Sequence, residues 1–318
     1  MKRSFHHNMV NGEFEDPCLY VRLQHERRAL LMDAGDLHAL SQGEILKVTD
    51  LFLTHMHIDH FIGFDTLIRV MLGREAVLRV FGPEGVISCV EGKLRGYSWN
   101  LIRNYPARFE VSEIHGGTVR RATFAAPEEF VRRDLPDEEF RGVVLEDEMF
   151  RVRALPLTHG LPSLAYSVEE DYHINIDKVA LEGRGLPVGQ WLANLKAAIR
   201  SGAPGGTPAT LDSLREITRT TEGQRVVYVA DTSPTDGNIA RITEFARGAT
   251  TLYLEAYFLD EDRERAMARH HLTGLIAGRV AREAGVGRLV PTHYSPKYKG
   301  LKRLPGHEAL EAFSGLAL

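Results

Sequence analysis

The stretch LFLTHMHIDHFIGF (51–64) runs an apolar segment directly into three histidines and an aspartate within six positions. Packing cannot explain that choice, because burying polar groups without partners costs roughly several kcal/mol. Metal binding can. In an extended segment alternate side chains face the same way, so His55 and His57 are expected to converge on one ion. A turn after Ile58 would then send Asp59 and His60 toward a second. Imidazole nitrogens and carboxylate oxygens hold zinc at about 2.0–2.2 Å, so one short loop supplies two half-sites. The competing interpretation is a surface histidine cluster. HxHxDH behind an apolar strand is much more specific than a lone HxH.

Four ligands do not close two sites, so further donors are required at strand ends downstream. LPLTHG supplies His159, RVVYVADTS supplies Asp231 and RLVPTHYS supplies His293, each after an apolar strand and before a turn. The two oxygens of an aspartate at 231 suit a bridge between ions about 3.5–4 Å apart. Taken singly, the three have ordinary explanations: a satisfied strand-end histidine, a turn cap and a stacking ring.

The rest of the chain is compatible with a large folded core. It has 318 residues, 43% hydrophobic and 26% charged, with a formal net charge of -4. That charge argues against whole-surface attraction to nucleic acid or membrane, but it allows a local basic track. Two cysteines, Cys18 and Cys89, sit outside any CxxC pair and are read as small buried hydrophobes. With no secretory leader and no long apolar span, the expectation is a reducing, cytoplasmic setting and no membrane association.

Strand and helix signals alternate. CLYVRL (18–23), ALLMDAG (29–35), VTDLFLTH (48–55) and VLRVFGP (77–83) read as strands, and FDTLIRVMLG (64–73) as a helix. PEGVISCVEGKLRGY opens on proline, as helices often do. Strand signals dominate from Phe109 to Glu169. Between 174 and 223 the texture changes to LPVGQ, a helical WLANLKAAIRSG and the flexible link GAPGGTP. The pattern then resumes with RVVYVAD (225–231), a helix from Ile239 to Arg247, TLYLEAYF (251–258), a helix after Leu272 and GRLVPTHYS (287–295). The expected organisation is one α/β domain over 1–318 that carries an insertion at about 174–223.

Taken with THMHIDHFIGF, VFGPEGV, PLTHGLPSLAYSVEE, VVYVADTSP, YLEAYF, RHHLTG and PTHYSPKY, the chain resembles the ribonuclease Z branch of the metallo-β-lactamase superfamily from about Leu30 to Tyr298. These are endonucleases that remove 3' trailers from precursor tRNA. The resemblance implies a four-layer αβ/βα sandwich with metals at one edge. It also implies that His55, His57 and His159 hold one zinc, that Asp59, His60 and His293 hold the other, and that Asp231 bridges them. His271 falls where the family keeps a catalytic histidine, and Glu255 matches the carboxylate that orients it. A homodimer is implied as well, the arm of one subunit serving the other.

Chemistry of the residues agrees. A pair of divalent cations lowers the pKa of a shared water and neutralises phosphate oxygens. Asp59 suits the proton from that water, and an imidazole held by a carboxylate, His271 on Glu255, suits the leaving oxygen. A helix-start cap is the plain alternative for His271, with His270 as neighbouring competitor. Zinc is the expected metal, although this donor set accepts several first-row ions.

Substrate choice is less sharply written. LEGRGLPVGQWLANLKAAIRSG occupies the place of the family's tRNA-gripping arm, with Gln190 at its altered tip and only Arg184, Lys196 and Arg200 as cations. Leu192, Leu195 and Ile199 also suit local packing. HHNMVNGEFEDPCLY replaces the family's glycine-rich opening and basic motif, and His6 and His7 read as a solvated terminus. Lys297, Lys299, Lys302 and Arg303, interleaved with Tyr294 and Tyr298, form either a phosphate track or a solvated face, and the arginines of VRR (131–133) are read the same way. A hydrolase of small phosphodiesters, cyclic nucleotides, phosphonates or sulfate esters is therefore the second expectation. A metal-free scaffold would not need the complete ligand set, and a glyoxalase II-type thiolester hydrolase fits VADTS, LEAYF and HLTG poorly.

Overall fold

Residues 5–24, 26–170, 172–201 and 217–315 are described by a computed structural model. Two compact units emerge, one of Glu170–Gln224 and one of Phe5–Glu169 with Arg225 onward.

In the larger unit, period-2 patterning builds two sheets with two buried faces each. The first has eight strands side by side in chain order: β1 (Phe5–Met9), β2 (Leu19–Leu23), β3 (Ala29–Met32), β4 (Val48–Phe52), β5 (Val77–Pro83), β6 (Arg108–His115), β7 (Thr118–Ala125) and β8 (Arg133–Glu139). The second contains β9 (Val143–Glu146), β10 (Phe150–Thr158), β11 (Pro162–Glu170), β14 (Arg225–Val229), β15 (Thr251–Glu255) and β16 (Leu289–Thr292). Its order is β16-β15-β14-β11-β10-β9.

Alternation along single strands assigns the layers. Leu19, Val21, Leu30, Met32 and Phe52 join Tyr166, Val226, Tyr228 and Tyr253 in a core between the sheets. Tyr20, Leu31 and Leu51 instead face Phe64, Leu67, Ile68 and Met71 of the helix Phe64–Met71 and Val86, Ile87 and Val90 of the helix Val86–Arg95. On the far side, Val227, Val229, Leu252 and Leu254 meet Ile242 and Phe245 of the helix Asp236–Ala246, together with Ala277 and Val280 of the helix Gly274–Glu283. Helix, sheet, sheet, helix is the resulting order. Among the described residues no helix is long and apolar enough to cross a membrane.

In the smaller unit, β12 (Tyr172–Ile176) and β13 (Thr218–Glu222) pair antiparallel, a two-stranded ribbon not expected from the sequence. Asp177 caps the helix Lys178–Gly183 by accepting from the N–H groups of Val179 and Ala180. Leu181, Leu195 and Ile217 are buried together, with Trp191, Leu192 and Ile199 packed against them. The apolar positions of WLANLKAAIRSG thus serve local packing. GAPGGTP (202–208) lies outside the described residues.

Several expectations need correction. HHNM is not a solvated terminus: β1 pairs with β2, and His7 Nδ1 lies 2.8 Å from the Tyr253 hydroxyl. Pro83 ends a strand and does not open a helix; Gly85, at φ +98°, makes the turn before Val86–Arg95. Cys18 is buried, but Cys89 is only half-buried. Tyr294 and Tyr298 are core residues. Lys297 is paired with Asp262 at 2.6 Å, and Arg132 and Arg133 have acidic partners, so these cations are already partly neutralised.

Candidate metal centre

The side chains in question come from the ends of strands in both sheets. β4 stops at Phe52, so His55 and His57 lie in the loop that follows and not on a continuing strand. The turn after them is helical: Ile58–Phe61, with His57 at its N-cap, carries Asp59 and His60. His159 follows β10, Asp231 lies two residues beyond β14, Glu255 ends β15 and His293 follows β16.

These ends meet. One donor atom each from His55, His57, His159 and Asp231 lies within 4.8 Å of the others, and so do donors from Asp59, His60 and His293. Asp231 Oδ2 is 3.7 Å from His55 Nε2, 3.6 Å from His159 Nε2 and 3.6 Å from His60 Nε2, which places this carboxylate between the two groups. Asp59 Oδ2 is 3.5 Å from His60 Nε2 and 3.6 Å from His293 Nε2.

Imidazoles that face one another this way do not stabilise a protein by themselves. His60 Nε2 is buried without a hydrogen-bond partner, and Asp231 Oδ1 and His293 Nδ1, 2.5 Å apart, have no partner but each other. Most buried polar atoms have partners, so orphans concentrated on convergent donors fit cations. Backbone strain collects here too. Of the five non-glycine residues at positive φ among the described residues, Asp33 and His293 belong to this cluster.

The opposite edges of the rings are held. His60 Nδ1 donates to Asp33 Oδ2 at 2.8 Å. His159 Nδ1 donates to the His270 carbonyl at 2.7 Å. The Thr54 hydroxyl donates to Asp33 and lies 3.1 Å from His55 Nδ1. Such outer partners select the tautomer that turns the other nitrogen inward. Charge divides accordingly. Burial and the neighbouring His60 push His55 down to about 2. Burial opposes charge on His60 as well, but the Asp33 and Asp231 carboxylates outweigh it and raise it to about 10. At Asp59 the bond to His293 and the charge of His60 overcome burial and lower it to about 2.

His271 stands beside this cluster. Its Nδ1 donates to Glu255 Oε2 at 2.7 Å, and the other Glu255 oxygen accepts the Thr232 N–H at 2.6 Å. Burial disfavours the imidazolium, yet Glu255 prevails and raises its pKa. The helix-cap alternative does not occur: Thr273 caps Gly274–Glu283. His270 is engaged elsewhere, with Nδ1 3.1 Å from the Ser233 hydroxyl.

Sequence inspection missed Asp33, Tyr228 and Tyr257. Asp33 had a usable signal, because ALLMDAG ends an apolar strand in an acid just as VVYVAD does. Tyr228, which donates to Asp33 at 2.9 Å, and Tyr257, which stacks on His271, look like ordinary strand residues.

No protein-family model matches the chain. The protein named ribonuclease Z from Deinococcus radiodurans is 31% identical over 275 residues, covering 85% of this chain and 83% of that protein. Ribonuclease Z from Bacillus velezensis is 30% identical over 313 residues, covering 92% and 87%. Among solved structures, the metallo-β-lactamase fold protein YhfI from Bacillus subtilis aligns with a TM-score of 0.57 at 18% identity, over 97% of this chain and 92% of that one. Human tRNase Z, short form, aligns with a TM-score of 0.55 at 17% identity, over 92% and 93%. The four layers are those of the metallo-β-lactamase fold.

Proposed function

The chain belongs to the ribonuclease Z family, and on that basis we propose that it is a metal-dependent endoribonuclease that hydrolyses the phosphodiester joining a 3' trailer to precursor tRNA. The observation that carries this reading is the convergence of seven ligand-type side chains from separate strand ends, with unpartnered buried atoms on His60, Asp231 and His293 among them. His55, His57 and His159 would hold one cation, Asp59, His60 and His293 the other, with Asp231 between them, and zinc suits the set. When bound, the ions supply hydroxide near neutral pH and offset charge on the phosphate.

The chain's own groups do the rest. Asp59, whose side chain is 35% exposed, is open enough to take the proton of the attacking water. As the bond from phosphorus to the leaving oxygen breaks, its electron pair stays on that oxygen and the proton on His271 Nε2 transfers to it. Glu255 accepts from Nδ1–H and its charge stabilises the imidazolium, the form of His271 that also carries a proton on Nε2 to give. We place the enzyme in the cytoplasm as a homodimer, with the insertion at about 174–223 as its tRNA-gripping arm.

One observation favours a second reading, hydrolysis of a small phosphodiester or cyclic nucleotide. Where a basic substrate-facing motif is expected, the loop after β1 brings Asp16 to the site; burial and then the Asp59 charge raise its pKa. Turnover of 3'-extended tRNA, bis(p-nitrophenyl) phosphate and a cyclic dinucleotide separates the two. Release of an intact trailer is expected, and cleavage of the small esters alone would overturn the tRNA assignment.

A further inference from the structure

One hydrogen bond does not fix an imidazole. Glu255 holds Nδ1 of His271 but leaves the ring able to swing about that bond, and a swing misdirects Nε2. The ring of Tyr257 lies flat on this imidazole, with centroids 3.9 Å apart and planes within 7°. Tyr257 is itself pinned: its carbonyl accepts the Ser295 N–H at 3.0 Å, Phe258 meets its ring edge-on at 4.9 Å, and His293 packs against it at 5.0 Å. On another side of His271, His159 lies at 4.7 Å, tilted by 58°. Residues 255–257 therefore deliver both the carboxylate that bonds the ring edge and the aromatic plane that covers the ring face.

We propose that Tyr257 is a positioning residue that sets the plane of His271 so that Nε2 meets the leaving oxygen. The proposal rests on the reading above that His271 supplies the leaving-group proton. A flat ring is what the role needs. The hydroxyl bonds Ser295 and is not the part that covers the imidazole, so phenylalanine should substitute and leucine, which fills space without a plane, should not.

Leaving groups separate positioning from mere packing. A ribose oxygen departs as a poor leaving group and needs the proton, whereas p-nitrophenolate departs without one. The experiment measures kcat and KM of the wild-type holoenzyme, Tyr257→Phe, Tyr257→Leu and His271→Ala on 3'-extended tRNA and on bis(p-nitrophenyl) phosphate. Comparing the two substrates within one preparation cancels any loss of folded or metal-loaded protein. Tyr257→Leu is expected to lower kcat on RNA roughly tenfold, with KM changed less than about twofold and a loss on the aryl ester at least about threefold smaller. Tyr257→Phe should restore kcat on RNA to within about twofold of wild type. Equal losses on both substrates in Tyr257→Leu, while His271→Ala discriminates between them, would overturn the positioning role alone. So would a Tyr257→Phe protein as slow as Tyr257→Leu. If His271→Ala itself loses equally on both, the proton-donor reading fails, and this inference with it.

Discussion

The Nδ1 atom of His60 lies 2.8 Å from Oδ2 of Asp33, and both side chains are fully buried. Asp33 also accepts from Thr54, just beyond β4, and from Tyr228 of β14, so one carboxylate ties the two sheets together beneath the cluster. It leaves His60 Nε2 pointed at Asp231 and Asp59. Asp33→Asn is expected to weaken metal retention about 10–100-fold by removing the charge that sets this tautomer. Competition with a chromophoric chelator measures it.

Metal loading should release protons. Without a cation, His60 is raised to about 10 and so carries a proton at pH 8, while the Asp231 carboxylate outweighs burial and raises His293 as well. A ligating imidazole must be neutral at the donor nitrogen, which requires such a proton to leave. The sign follows: metal affinity rises as pH rises toward 10 and falls as pH drops. Titration calorimetry in buffers of different ionisation enthalpy should find about one proton or more released per chain at pH 8.

Removing the proton donor or its anchor should reduce kcat and spare KM. His271→Ala is expected to lower kcat on precursor tRNA about 10²–10⁴-fold, the usual range for general acid catalysis. Glu255→Gln keeps the shape but loses the charge that raises His271, and should fall at the lower end. Steady-state kinetics at saturating RNA checks both.

Close backbone contact as well as the packing of Phe61 seats the helix that carries His60. Gly63 donates its N–H to the Ala34 carbonyl at 2.8 Å, and a Cβ at this position would come 2.1 Å from the Gly35 carbonyl oxygen. Gly63→Ala should therefore cost about 1–3 kcal/mol of stability and loosen metal binding as well. Gly73→Ala, which meets nothing within 4 Å, is the control and should stay within about 0.5 kcal/mol of wild type in denaturant unfolding.

Most of this was legible in the sequence because strand alternation and strand-end polarity are local properties. THMHIDH, LPLTHG, VVYVAD and LVPTHYS each carry an apolar run and a donor in one short segment, and the structure brings all four segments together. What stayed hidden depends on distant partners. Asp33 reads as a turn residue until Tyr228, 195 positions away, is seen to bond it. Lys297 reads as a free cation until Asp262 is found against it. β1 reads as a polar terminus because, of its five residues, only Phe5 is buried. Even the helical turn at Ile58–Phe61 was missed, since four residues are too few to show a 3.6-residue period.

The claim beneath all of these predictions is that the clustered side chains hold a pair of cations. Elemental analysis of the untagged protein, purified without chelator and normalised to its amino-acid content, tests it most directly. About two first-row metal ions per chain are predicted, dropping to one or none in Asp231→Ala. A wild-type protein that binds no metal when dialysed against micromolar zinc would contradict it.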